Sequence, residues 1–201
     1  MRRAIVALTI SLPLLAALVG GAGVAQARPL PTEPVMKGLL LTKDEMVKAA
    51  GYAGQMTEAG GPASCRDTDD KGRDCVYGVQ PADYNNPASY PSMVVITGFP
   101  TAPAATKHWR DHNLKPTAWS GETITVVAKT ARLITYTATP ATAEQMAWAW
   151  TSIKGRQGIM MAQCTANQAG ADLKALADCS RKVAVALDRK VKAKKPRTPL
   201  A

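Results

Sequence analysis

Two histidines stand four residues apart in the run His108-Trp109-Arg110-Asp111-His112, and the chain has no others. On a helix that spacing sets both imidazoles on one face, which is half of a zinc shell. A zinc hydrolase of the H-E-x-x-H type needs a glutamate directly after the first histidine to activate water. Trp109 holds that place, and nothing in the sequence marks a third ligand. The expectation is therefore no metal, no cofactor and no catalytic residue. A secreted metal-dependent hydrolase using His108 and His112 stands as the alternative. The acids Asp67, Asp69, Asp70 and Asp74 suggest calcium, but an EF-hand loop begun at Asp67 would put Gly78 where the bidentate acid belongs. An acidic turn is the better reading. No Gly-x-Ser-x-Gly elbow, phosphate loop or dinucleotide glycine pattern is present.

Aromatic side chains are the other chemistry on offer. Trp148 and Trp150 alternate with Ala147, Ala149 and Thr151, a period of two that puts both indoles on one side of a strand. They either pack beneath a helix or, with Trp119 and Tyr136, form a site that lines a ligand cleft or stacks on a sugar ring.

The compartment follows from the cysteines and the first residues. Arg2-Arg3 precede an apolar run from Ala4 to about Ala22, which ends in Ala25-Gln26-Ala27. That is the form of a cleaved export signal over residues 1–27. An uncleaved anchor is less consistent with Pro13 and Gly20-Gly21 inside the run. Cys65, Cys75, Cys164 and Cys179 all lie downstream, and outside the cytoplasm four cysteines most simply make two disulfides. Three pairings are open. Spacing favours Cys65 with Cys75 across a turn-rich stretch, and Cys164 with Cys179 between a strand and a helix. None of the four forms a C-x-x-C cluster suited to zinc or redox work.

These groups need elements to position them. Residues 28–38, with Pro29, Pro31 and Pro34, read as a linker. Thr42-Lys43-Asp44-Glu45 is a capping box that opens a helix ended by Gly51. A Gly-, Asp- and Ser-rich loop holding Cys65 runs to about Asp74. Strands follow at 75–80 and 93–99. A helix capped by Thr101 runs to about Asn113. Two short strands cover 123–128 and 132–138, and a hairpin spans 146–166 around Gly155-Arg156-Gln157-Gly158. Leu173, Leu176, Val183, Leu187 and Val191 recur at helical steps from about 170 to 194. The order implies a single α+β domain over 39–194. Its antiparallel sheet has about five to six strands, with helices packed on one face.

The net charge is +10. Six cations, from Arg189 to Arg197, sit in the last thirteen residues, so the basicity is local. Residues 195–201 read as a basic disordered tail. Without interleaved aromatics it does not suit nucleic acid. It suits a solvated helix end or a weak contact with anionic envelope polymers or lipid headgroups.

Several short stretches carry a family resemblance. Lys37-Gly38-Leu39-Leu40-Leu41-Thr42-Lys43-Asp44-Glu45-Met46 resembles the opening of the extracytoplasmic sensor domains of actinobacterial Ser/Thr kinases of the mycobacterial H type. The strand Val94 to Phe99 followed by Pro100-Thr101-Ala102 is similar to a second motif of those domains. A strand ending near Cys164 and a helix carrying Cys179 are similar to their close. The order matches over most of 37–192. Two features depart from the pattern: Cys65 and Cys75 are close together, and Trp119 is followed by Ser120-Gly121-Glu122 where a Trp-x-x-Cys is usual. The resemblance implies an α/β sensor-type module with a cleft for an unidentified small ligand. With the export signal and the lack of a catalytic motif, the chain reads as a secreted or extracellular, non-enzymatic binding module, with an envelope-docking interaction protein as a further alternative.

Overall fold

The computed structural model describes residues 29–83, 91–116, 121–142, 146–166, 171–194 and 200. The expected signal over 1–27, Trp119 and most of the basic tail lie outside them. The elements in chain order are α1 (Glu33–Leu39), α2 (Lys43–Ala50), β1 (Met56–Asp67), β2 (Arg73–Pro81), β3 (Ser92–Gly98), α3 (Ala102–His108), β4 (Thr123–Lys129), β5 (Leu133–Thr139), β6 (Ala147–Lys154), β7 (Gly158–Ala166) and α4 (Leu173–Ala193). A π-helical turn, Trp109–Asn113, continues α3. The strands form one sheet in the order β1-β2-β3-β7-β6-β5-β4, with every neighbour antiparallel.

The sheet has seven strands rather than five to six. The extra one is β1, which the sequence presents as a loop. Its Gly60-Gly61-Pro62 and its lack of apolar alternation hide it. Gly60 and Gly61 take φ of 74° and 87°, a conformation open to glycine. They absorb a register shift between Ala59 and Ser64. Pairing with β2 then resumes with Cys65 opposite Cys75. As an edge strand β1 needs only one hydrogen-bonded side.

The helices do not share one face. The α4 stripe of Leu176, Val183, Leu187 and Val191 is buried against the side of the sheet that carries Ile153, Met160 and Ala162, joined there by α1 and α2. On the opposite side, α3 and its π turn cover Phe99, Ile134 and Ile159 with Ala105 and Trp109. The reason lies in β7. Its run Ile159-Met160-Met161-Ala162 sends apolar side chains both ways, so both faces need cover.

The first and last segments also differ from expectation. The proposed linker 28–38 contains α1, with Pro34 in its first turn, where a missing N–H costs little. Met36 and Leu39 from α1 are buried. At the other end, Leu200 of the expected loose tail is fully buried. It sits over Gly155 and Gly158, where a Cβ on either would run into it. An isolated leucine in a charged tail carries no periodic signal, so only the close approach of the glycines accommodates it.

Other local readings hold. Thr42 and Glu45 form the reciprocal capping box, and Gly51 ends α2 at φ 73°. Thr101 caps α3. Asp172 caps α4. Lys190 Nζ on α4 donates to the Leu40 carbonyl at 2.7 Å and to Glu45 Oε2 at 2.6 Å. Burial would raise the Glu45 carboxyl, but Lys190 and Thr42 outweigh it and hold it below its ordinary value. A hydroxyl chain crosses the interface of sheet and helix: Thr135 to Thr151 at 2.9 Å, and Thr151 to Ser180 at 2.8 Å.

Both disulfides take the local pairing. Cys65–Cys75 joins directly opposed residues of β1 and β2. Cys164–Cys179 joins β7 to α4, with the Cα atoms 6.2 Å apart. The Tyr52 hydroxyl lies 3.4 Å from Cys179 Sγ and bonds to the Ser92 hydroxyl beside it. Replacing Cys164 and Cys179 together by Ala should lower unfolding stability by about 2–5 kcal/mol. Urea denaturation of the purified variant checks this, and an unchanged midpoint would refute the bridge's structural role.

Candidate functional site

The two histidines do fall on one side of a helical segment. His108 ends α3 and His112 lies in the π turn, with ring centroids 4.5 Å apart. His108 Nδ1 is 2.9 Å from Asp70 Oδ2, and its ring rests on Phe99 at 4.9 Å. Asp70 also accepts from the Thr68 hydroxyl. Burial would raise the Asp70 carboxyl, but Thr68 and His108 hold it below its ordinary value. The arrangement ties α3 to the β1–β2 turn. Among the described residues no three His, Cys, Asp or Glu side chains gather as metal ligands. A carboxylate on Nδ1 orients an imidazole, but no hydroxyl or thiol nucleophile is seen at that ring among the contacts described.

The aromatic residues make a different kind of place. Trp150 on β6 is directly opposite Tyr136 on β5, so the two share a sheet face. Trp148, two residues earlier, points the same way and meets Tyr136 edge-on, with centroids 5.8 Å apart at 75°. All three are half-buried. Their face is the one that α3 covers further along, since Ile134 and Tyr136 both join the cluster around Phe99 and Trp109. The intervening Ala147 and Ala149 turn to the α4 side. Burial raises the Tyr136 phenol to about 12, so it stays neutral and able to donate across the physiological range.

Polar groups fix this face. Trp150 Nε1 donates to Ser152 Oγ at 3.0 Å. Trp148 Nε1 donates to Glu122 Oε1 at 3.4 Å. Asn113, the last residue of the π turn, reaches Ser152 Oγ at 3.1 Å and Met161 Sδ at 3.6 Å through Nδ2. Asn113 is only 6% exposed, and its Oδ1 has no hydrogen-bond partner among the described residues. The amide can be turned, which lets Ser152 donate, but one of its two ends stays unsatisfied either way. A buried amide atom left unpaired costs about 1–3 kcal/mol. π turns of this type recur at functional positions.

Of the four aromatic residues expected at a site, Tyr136, Trp148 and Trp150 come together, and Trp119 lies outside the described residues. Asn113, Ser152, Met161 and Glu122 were not legible as site residues. Ser152 alone had a signal, since it continues the alternation of Trp148 and Trp150. Other grooves lie elsewhere, among them one of about 350 Å³ beside Leu40, Glu58 and Tyr77. One of about 500 Å³ runs between β4, β5 and the start of α4, with Thr125, Thr137 and Lys174 among its walls. One of about 300 Å³ lies at the β1 bulge, beside Gly61 and Gly78.

No protein-family model and no curated protein matches this chain. Among solved structures it is similar to the extracellular domain of PknH from Mycobacterium tuberculosis, with a TM-score of 0.54. The two share a fold. The alignment covers 80% of this chain and 98% of the PknH domain, at 13% identity. The sensor-domain fold implied by the resemblance of the Lys37-to-Met46 opening is therefore the fold observed. At that identity the likeness extends to architecture.

The Asp70 contact makes a pH-dependent contribution with a fixed sign. A carboxyl whose pKa is lowered by folding stabilises fully above its unfolded pKa, and that contribution is lost as pH falls through the folded value. Asp70→Asn should therefore melt lower than the unmodified protein at neutral pH, and the gap should close below about pH 4. Melting curves across that range test it. A gap that persists in acid would mean Asp70 acts through shape alone.

Proposed function

We propose that this chain is an exported, non-enzymatic binding or sensor-like module related to the extracytoplasmic sensor domains of actinobacterial kinases. Its ligand is a small molecule with a flat or apolar face, taken up by Tyr136, Trp148 and Trp150. The observation that carries this reading is the half-buried aromatic face, whose indole N–H groups are held by Ser152 and Glu122. Aromatic surface kept partly open in this way suits stacking of a ring. The buried Asn113 beside it, with an amide atom unpaired, supports the same place. Export is supported by the apolar run, the Ala25-Gln26-Ala27 signal and the two disulfides. No helix among the described residues is long and apolar enough to cross a membrane.

Native mass spectrometry of protein purified from culture medium is the direct test, read for a retained small molecule. Trp148→Ala with Trp150→Ala should lower its retention on the order of tenfold or more, since each aromatic contact contributes about 0.5–1.5 kcal/mol beyond its area. The circular dichroism spectrum should be unchanged. Equal retention by the folded double variant would place the ligand elsewhere. A bound metal in place of an organic molecule would favour the hydrolase reading.

A further inference from the structure

One end of the sheet is strongly cationic. The β4–β5 turn, the β6–β7 turn and the C-terminus of α4 meet there. Arg132 Nε donates to the Lys154 carbonyl at 2.8 Å, and its guanidinium lies 3.9 Å from Asp188 on α4. Lys129, Lys154, Arg156, Arg189 and Lys194 crowd this end, and none has an ion-pair partner among the described residues. The acids among them, Asp188 and Glu45, are already held by Lys192 and Lys190. Further along the same end the β1–β2 turn is mixed, with Asp67 paired to Arg73 and Asp70 to His108. The opposite end carries Asp83, Glu122 and Asp172 with Lys174. The domain is thus charged lengthwise, and its positive pole is built from two turns and the end of α4 rather than from the tail alone.

Leu30 and Leu200 lie at the same pole. A Cβ on Gly98, the last residue of β3, would meet Leu200 at 3.2 Å and Leu30 at 3.4 Å. Upstream of Leu30 the sequence carries the apolar run from Ala4 to Ala22. The segment that engages a bilayer during export therefore joins the domain at its positive pole.

We infer that this pole docks end-on to a bilayer of anionic lipid. An array of cations without aromatics suits headgroup phosphates rather than bases. The position of the upstream apolar run favours a lipid surface over a soluble polymer. The inference rests on export and does not involve the aromatic face, which lies towards the other end of the strands.

The test is co-sedimentation of the exported protein with vesicles of phosphatidylglycerol or of phosphatidylcholine. Binding is expected to phosphatidylglycerol only, and to weaken as salt rises. Each basic residue near an anionic surface contributes roughly fivefold, so Lys129→Glu, Arg156→Glu and Arg189→Glu together should lower partitioning by roughly 100-fold or more. Lys48→Glu, Lys115→Glu and Lys174→Glu change net charge equally but lie away from the pole, and should leave most of the binding. If the first triple variant is unfolded by circular dichroism, the corresponding Gln substitutions take its place. Equal losses in the two variants would reduce the effect to net charge and overturn the inference. So would absence of phosphatidylglycerol binding, or binding to soluble polyglutamate with none to vesicles.

Discussion

The packing of α4 across β5, β6 and β7 is the contact on which the rest of the molecule depends. One helix spans the middle of the sheet with Leu176, Val183, Leu187 and Val191 buried along its length. It is fixed at one place by the Cys164–Cys179 bridge, at another by the Thr135–Thr151–Ser180 hydroxyl chain, and near its end by Lys190 on Leu40 and Glu45. The short helices α1 and α2 could not stand alone in water at seven and eight residues. They persist because α4 and the sheet supply a surface to bury Met36, Leu39 and Met46. Hydrophobic burial provides the bulk of the attraction, while the hydroxyls and the bridge set the helix's position along the sheet.

The opposite face is covered differently. The cover of α3 and its π turn reaches Ile134 and Ile159, and the strands continue past it with half-buried Tyr136, Trp148 and Trp150. Asn113 stands where cover ends and aromatic surface begins, bonded to Ser152. The same sheet thus carries one side held under α4 at β6 and β7 and another left partly open at Tyr136, Trp148 and Trp150.

What could be read in the sequence was local and periodic. The capping box at Thr42, the glycine stop at Gly51, the alternation through Trp148 and Trp150 and the stripe of α4 are each set by a few neighbouring residues. All of them appear where those residues put them. The misses have a common cause, which is that distant partners decided the outcome. β1 is a strand because β2 offers it a ladder, not because Thr57 to Asp67 prefer to be extended. α3 crosses to the second face because β7 is apolar on both sides, and Leu200 is buried because Gly155 and Gly158 leave room for it. The site was half legible: the indoles announced themselves by type and period. Asn113 and Met161 reach Ser152 only through the fold, so no spacing along the chain could name them.

The two edges of the sheet are secured by different means. β1 is latched to β2 by a covalent bond between directly opposed Cys65 and Cys75. β4 has no disulfide to β5, and it carries a register slip between Val126 and Ala128, with Val126 and Val127 about half exposed. Local opening should therefore be lopsided. Thermal fluctuation can lift β4 from β5 while the far edge stays zipped, so amide protons of β4 would exchange with solvent well before those of β2 or β7. Both edge strands turn unpaired N–H and C=O groups outward, but only β1 is latched to its neighbour, which gives the molecule one loose margin and one fastened margin.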